Sequence, residues 1–215
     1  MKTLLSRIFI FWAYLVYKSP KWLQKLMAWS IGTLWFDILR IRRQVAIDNV
    51  KRAFPEISER EAIRIARSSL FHMGQTLVEF NHIFFYSDEK FSDYFEFENI
   101  HYYEQALAQN KGVLMLGLHL ANGDFAISAL SGRGYQMHLI SKRFKAQWLD
   151  RLWFGVRGKH GTQFISPRKS SFEILKALKK RGTVIFVLDQ FMGPPLGVRT
   201  QFFGHEHMMA MVFTA

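Results

Sequence analysis

Apolar and polar positions change rhythm twice along this chain. Two apolar runs open it, Ile8 to Tyr17 and Leu26 to Phe36, with basic residues before, between and after them. Arg43 to Phe54 then alternates at helical spacing and halts at Pro55, which cannot continue a helical hydrogen-bond ladder. Ser58 followed by Glu61 has the form of a capping box and predicts a helix reaching the region of Glu79. Beyond residue 95 the apolar runs shorten. Val113 to Leu118, Met137 to Ile140 and Val184 to Leu188 predict buried strands. Helical patterns separate them at Asp124 to Leu130, Gln147 to Val156, and Ser170 to Lys180, the last with a Ser170/Glu173 capping pattern. Strands alternating with helices predict an α/β fold with a mainly parallel sheet flanked by helices, whose ligands gather at the carboxyl ends of the strands.

The opening runs form a segment of their own. Residues 1–43 hold Lys2, Arg7, Lys18, Lys21, Lys25, Arg40, Arg42 and Arg43 against one acid, Asp37. A spanning helix needs about 20 consecutive apolar residues, and each run falls short of that. No small-residue cleavage site follows the first run, where Tyr17, Lys18, Ser19 and Pro20 stand. Basic, Trp-bearing amphipathic helices lie in the membrane interface, held by anionic headgroups. Residues 1–42 are therefore expected to be interfacial anchor helices, and residues 43–215 the α/β domain.

Composition narrows the chemistry. The 215 residues carry a net charge of +12, 49% hydrophobic residues, 21 Phe and 6 Trp. Such a charge favours polyanionic partners. The basic residues coincide with tryptophan at the apolar amino terminus, and no nucleic-acid motif accompanies them, so the partner expected is an anionic membrane surface and not nucleic acid. The absence of cysteine excludes disulfides, thiolate catalysis and Cys-based zinc sites. His205-Glu206-His207 lacks a usual zinc spacing, so no metal is expected.

One predicted strand ends in Gly117-Leu118-His119-Leu120-Ala121-Asn122-Gly123-Asp124. If the chain turns tightly through Asn122-Gly123 and Asp124 opens the next helix, the carboxylate reaches one imidazole nitrogen. The other nitrogen is then free to take a proton from a hydroxyl. These residues alone leave a second reading open, in which Asp124 caps a helix and the histidine is structural. Arg143, Arg157 and Arg168 are candidates for binding phosphate or an acyl-carrier group, or are simply solvated. Asn122, in the turn beside His119, and Asp189-Gln190, in a loop after a strand that either faces the site or is mere punctuation, are further candidates to contact substrate.

His119-x4-Asp124 resembles the His-x4-Asp/Glu signature of glycerolipid-type acyltransferases. Within that superfamily the chain resembles the group of lipid A late acyltransferases and phosphatidylinositol-mannoside acyltransferases, collinearly from about residue 35. Arg43 to Val45 with Asn49 to Glu56, Gly74 to Glu79, Leu149 to Leu152 with Arg157 to Gly161, and Val187 to Gln190 with Gly197 to Gly204 carry the likeness. The resemblance implies acyl transfer from acyl carrier protein, or from acyl-CoA, to a hydroxyl of a membrane glycolipid, most naturally a lipid A precursor. His119 would be the base, Asp124 its support, and Arg157 a contact to substrate or to charge developing on the thioester oxygen. No cofactor is implied. The expected location is the inner membrane, with the domain facing the cytoplasm. Another membrane lipid as acceptor, or a non-catalytic basic lipid-binding protein, are the alternatives. Two departures stand out. Ala121 and Gly123 replace the motif's usual glycine and tryptophan, and the chain stops at Ala215 in what reads as a continuing helix, so a fragment is expected.

Overall fold

The computed structural model describes residues 4–167, 170–194 and 197–210, without the side chains of Ser92 and of residues 207–210. The chain forms two compact units, residues 1–14 with 82–189, and residues 15–81 with 190–215.

The first unit is the α/β layer. Its strands are β1 (Val113–Gly117), β2 (Met137–Ile140), β3 (Gln163–Ile165) and β4 (Thr183–Val187). They lie in the order β1-β4-β2-β3, and every pairing is parallel. Parallel neighbours need crossover connections, which helices supply here. These are α7 (Gly123–Gly132) after β1, α8 (Gln147–Arg157) after β2 and α9 (Ser170–Lys179) after β3. Two shorter helices, α5 (Asp88–Tyr94) and α6 (Ile100–Ala108), precede the sheet. Leu130, Met137, Leu139 and Ile185 form the centre of its core, with Met115 and Phe164 packed against them.

The apolar runs located three of the strands to within a residue or so, but burial differs between them. β4 is buried over Thr183 to Phe186, whereas β1 alternates, with Leu114 41% and Leu116 65% exposed. The expectation of a fully buried β1 is thus corrected. A continuous apolar run does not distinguish a central strand from one at the edge of the sheet, and β1 is at the edge among the described strands. β3 is three residues long and too short to leave a pattern.

The second unit is helical with one hairpin. α2 (Lys21–Thr33) runs into a π-helical turn, Leu34–Ile38, followed by α3 (Arg43–Ala53) and α4 (Glu59–Phe80). The predicted capping box is present at α4, where the Glu61 N–H donates to Ser58 Oγ at 3.2 Å. Phe36, Ile47, Ala62 and Ala66 form this unit's core. The strands β5 (Gly197–Phe202) and β6 (His205–Ala210) pair antiparallel. The continuing helix expected around Phe213 to Ala215 lies outside the described residues.

α1 (Leu4–Lys18) belongs partly to each unit. Leu5, Ile8, Phe11, Trp12 and Leu15 are all exposed along it. Among the described residues, no helix is long and apolar enough to cross a membrane.

Candidate active site

Adjacent parallel strands end side by side, and that places the candidate residues. Gly117 of β1 is in register with Val187 of β4. His119 and Asp189 each stand two residues further on, so strand pairing sets them opposite one another although 70 positions separate them. His119 Nδ1 lies 2.7 Å from Asp189 Oδ1, and the His119 backbone N–H donates to Asp189 Oδ2 at 2.7 Å. One carboxylate therefore grips both the ring and the main chain of His119. Burial pushes the Asp189 carboxyl up, but the hydrogen bonds from the His119 ring and backbone outweigh it and hold the group below its ordinary value. An ionised carboxylate only accepts, so Nδ1 turns its proton to Asp189, and in the neutral ring Nε2 keeps a lone pair. The His119 side chain is 55% exposed, which leaves that lone pair open to an incoming hydroxyl.

The partner expected for His119 was Asp124, and here the structure differs. After β1 the chain passes through Ala121 at φ +47°, a left-handed conformation unusual for a residue with a Cβ. Asn122 then caps α7, its Oδ1 accepting from the Phe125 N–H at 3.2 Å. Asp124 falls in the first helical turn, and its Oδ1 accepts from Arg157 Nε at 2.7 Å. No hydrogen bond joins Asp124 to His119 among the described residues. The Asp124 carboxylate is instead engaged by a single charge-assisted bond from Arg157 Nε, stronger than a bond from a neutral imidazole. Arg157 closes α8, is 8% exposed, and also donates from Nη1 to Ser141 Oγ at 3.0 Å. Ser141 directly follows β2, so Arg157 ties the start of α7 to the end of β2.

The other candidates lie elsewhere. Arg143 pairs with Asp150 at 2.6 Å and stacks over Phe154, so it braces α8. Asp150 is itself fixed, accepting from the Phe144 N–H at 2.9 Å. Gln190 is exposed directly after Asp189. Arg168 lies outside the described residues. His205 Nε2 donates to the Arg52 carbonyl at 2.9 Å, while the His207 side chain is not described. Sequence reasoning missed Ser141 and gave Asp189 the role of touching substrate. A signal for both was available, since each follows a strand in a predicted parallel sheet.

An α/β layer with a histidine–carboxylate pair just past the carboxyl ends of parallel strands defines the class: an α/β protein with a candidate acid–base site at its strand ends. More particularly, the chain belongs to the bacterial lipid A biosynthesis acyltransferase family, whose model matches residues 2–215. It is similar to the lipid A biosynthesis palmitoleoyltransferase of Escherichia coli, 25% identical over 179 residues that cover 83% of this chain and 58% of that one. The lauroyltransferase of the same organism is 23% identical over 179 residues, covering 82% and 57%. A lipid A biosynthesis acyltransferase of Haemophilus influenzae is 23% identical over 165 residues, covering 75% and 51%. The chain thus spans a little over half the length of these relatives.

Proposed function

We propose that this chain carries the catalytic site of an acyltransferase that moves a fatty acyl group from acyl carrier protein or acyl-CoA to a hydroxyl of a lipid A precursor. The observation that carries the reading is the His119–Asp189 pair, with its exposed imidazole nitrogen just past the strand ends. His119 Nε2 takes the proton of the acceptor hydroxyl as its oxygen attacks the thioester carbonyl. Asp189 holds the ring in the required tautomer and steadies the imidazolium that forms. The C–O bond forms, the C–S bond breaks, and the thiolate leaves with the proton returned from His119. Asp124 acts one step away. It fixes Arg157 together with Ser141, and in this reading Arg157 supplies the positive charge that steadies the thioester oxygen.

Residues 1–42 are proposed as the interfacial anchor, and residues 43–215 as the acyltransferase domain, working at the inner membrane from its cytoplasmic side. The exposed apolar residues of α1 and the net charge of +12 support this placement. The lipid A acyltransferases to which the chain is similar supply the acceptor class. The test is an acyl-transfer assay of the full-length protein with acyl carrier protein thioester and a panel of acceptor lipids, comparing wild type with His119→Ala. Equal product from both would overturn the catalytic assignment. A preference for a glycerophospholipid acceptor would overturn the lipid A assignment and leave the chemistry standing.

A further inference from the structure

The second unit carries a groove that this chemistry does not use. It lies between α2 and α4, holds about 400 Å³ and opens to solvent. Close helix approach shapes it. A Cβ added at Gly32 would stand 3.0 Å from the Phe71 backbone, and one at Gly74 would stand 2.5 Å from the Ala28 carbonyl oxygen. Glycine at both positions lets the helices meet backbone to backbone, so the flanking side chains rise as walls.

Those walls carry two chemistries. α4 contributes Arg60, Arg64 and Arg67, whose spacing of four and three places them on one helix face. Glu61 holds Arg64, and Asp37 holds Arg67 at 2.8 Å, but neither acid lines the groove. Arg60 forms no salt bridge among the described residues. The remaining lining is mainly apolar, from Trp29, Ile63 and Phe71. Trp29 also ends an exposed stripe of α2, with Trp22 at 66%, Leu26 at 48% and Trp29 at 51% exposure. α2 contains no acid, and Lys21 and Lys25 accompany the stripe. Glu61 and Asp37 already offset Arg64 and Arg67, but no carboxylate among the described residues offsets Arg60, so the row still gains from an anion that reaches it. An inorganic anion would use the arginines and leave the aromatic lining idle. An amphiphile with a phosphate next to apolar carbon uses both.

We propose that the α2–α4 groove is a binding site for the phosphate headgroup of an anionic phospholipid, seating the second unit on the membrane surface. The phosphate lies among the three guanidinium groups, and the glycerol and first acyl carbons lie on Trp29 and Phe71. The site is independent of the strand-end chemistry.

The test measures binding of the full-length protein to phosphatidylcholine vesicles with and without phosphatidylglycerol, and reads only the gain that phosphatidylglycerol confers. Arg60→Gln/Arg64→Gln/Arg67→Gln should reduce that gain at least ~10-fold, the loss expected when charge-assisted bonds to phosphate are removed. Lys111→Gln/Lys179→Gln/Lys180→Gln removes equal charge from exposed positions outside the groove and should reduce it by no more than ~3-fold. Arg60→Lys/Arg64→Lys/Arg67→Lys keeps the charge but loses the fork geometry, so it should still bind at least ~3-fold more weakly. It also decides the matter if the glutamine variant melts early. Equal losses in the groove and control variants, or wild-type binding by the lysine variant, would overturn the site as mere bulk charge. Calorimetric binding of inorganic phosphate at the strength seen for phosphatidylglycerol would overturn the lipid assignment.

Discussion

Asp189 binds His119 with both carboxylate oxygens, one on ring Nδ1 and one on the backbone N–H, each at 2.7 Å. The second bond fixes the main chain of the residue whose side chain the first one orients. Asp189→Asn should therefore keep fold and substrate affinity but lose turnover. The amide can accept from only one of the two donors, and it cannot steady an imidazolium. Replacing the orienting carboxylate of a serine-protease triad, the standard worked example, costs about 10⁴-fold. A half-exposed pair should lose on the order of 10²-fold in kcat with KM little changed. Steady-state kinetics of the variant check this, and wild-type kcat would refute the pairing's role.

The same pair imposes a pH signature on stability. The folded-state pKa of Asp189 is depressed, so its contribution is present above the unfolded value of about 3.9 and is lost as pH falls through the folded one. Urea midpoints of wild type should accordingly fall more steeply than those of Asp189→Asn on acidification below about pH 4. Parallel slopes for the two proteins would contradict the depressed value.

Asp124 and Arg157 make a different prediction. Their side chains are 24% and 10% exposed, so removing the carboxylate leaves a nearly buried guanidinium short of its partner. Asp124→Asn should cost roughly 2–4 kcal/mol of stability, toward the lower end of the range for breaking a buried pair. The double variant Asp124→Asn/Arg157→Gln should be less destabilised than the sum of the singles, by about 1–3 kcal/mol. Were Asp124 instead the direct support of His119, the single variant would lose turnover while keeping its melting temperature.

Ala121 sits where the family pattern has glycine, and it adopts φ +47°. The left-handed region costs a residue with a Cβ about 1–2 kcal/mol, against about 0.5–1 kcal/mol for the extra unfolded-state freedom of glycine. Ala121→Gly should thus stabilise the protein by about 0.5–1 kcal/mol, read from chemical denaturation. A destabilised variant would mean that the loop is not strained.

For the proposed membrane anchor, the structure dictates the choice of variant. Deleting residues 1–36 would strip α2 from α4, where Gly74 abuts Ala28, and would unfold the second unit. Substituting Leu5, Ile8, Trp12 and Leu15 by serine spares that contact, because all four are exposed on α1. The quadruple variant should move from the membrane fraction to the soluble one in high salt, while wild type stays bound. Screening acts within about 8–10 Å at ordinary ionic strength and leaves apolar insertion intact. Release of wild type by salt alone would show that α1 is not inserted.

Most of the α/β layer was legible because local patterns dictate it. Met137 to Ile140 and Gln147 to Val156 carry their periodicity in their own residues, and Ser58 with Glu61 marks the start of α4. The histidine was legible too, as a polar residue emerging from an apolar run. Its partner was not, because the choice between Asp124 and Asp189 rests on strand order. No local pattern states that β4 lies beside β1, nor that Arg157 reaches across to claim Asp124. The hairpin of β5 and β6 was also missed, since its strands alternate too weakly to predict.

Sheet order has a consequence in time. Of the four described strands of the layer, β4 is the last to leave the ribosome, yet it occupies the slot between β1 and β2. Until it arrives, those two strands have no neighbour to share, and His119 has no carboxylate to hold it. At about 5–20 residues per second, the 70 positions between His119 and Asp189 amount to roughly 4–14 s of synthesis. A nascent chain halted in that interval displays the histidine but not a working base. Under the mechanism proposed here, acquiring the catalytic pair and joining β1 to β2 through β4 are a single event, so chains halted before it are chemically silent.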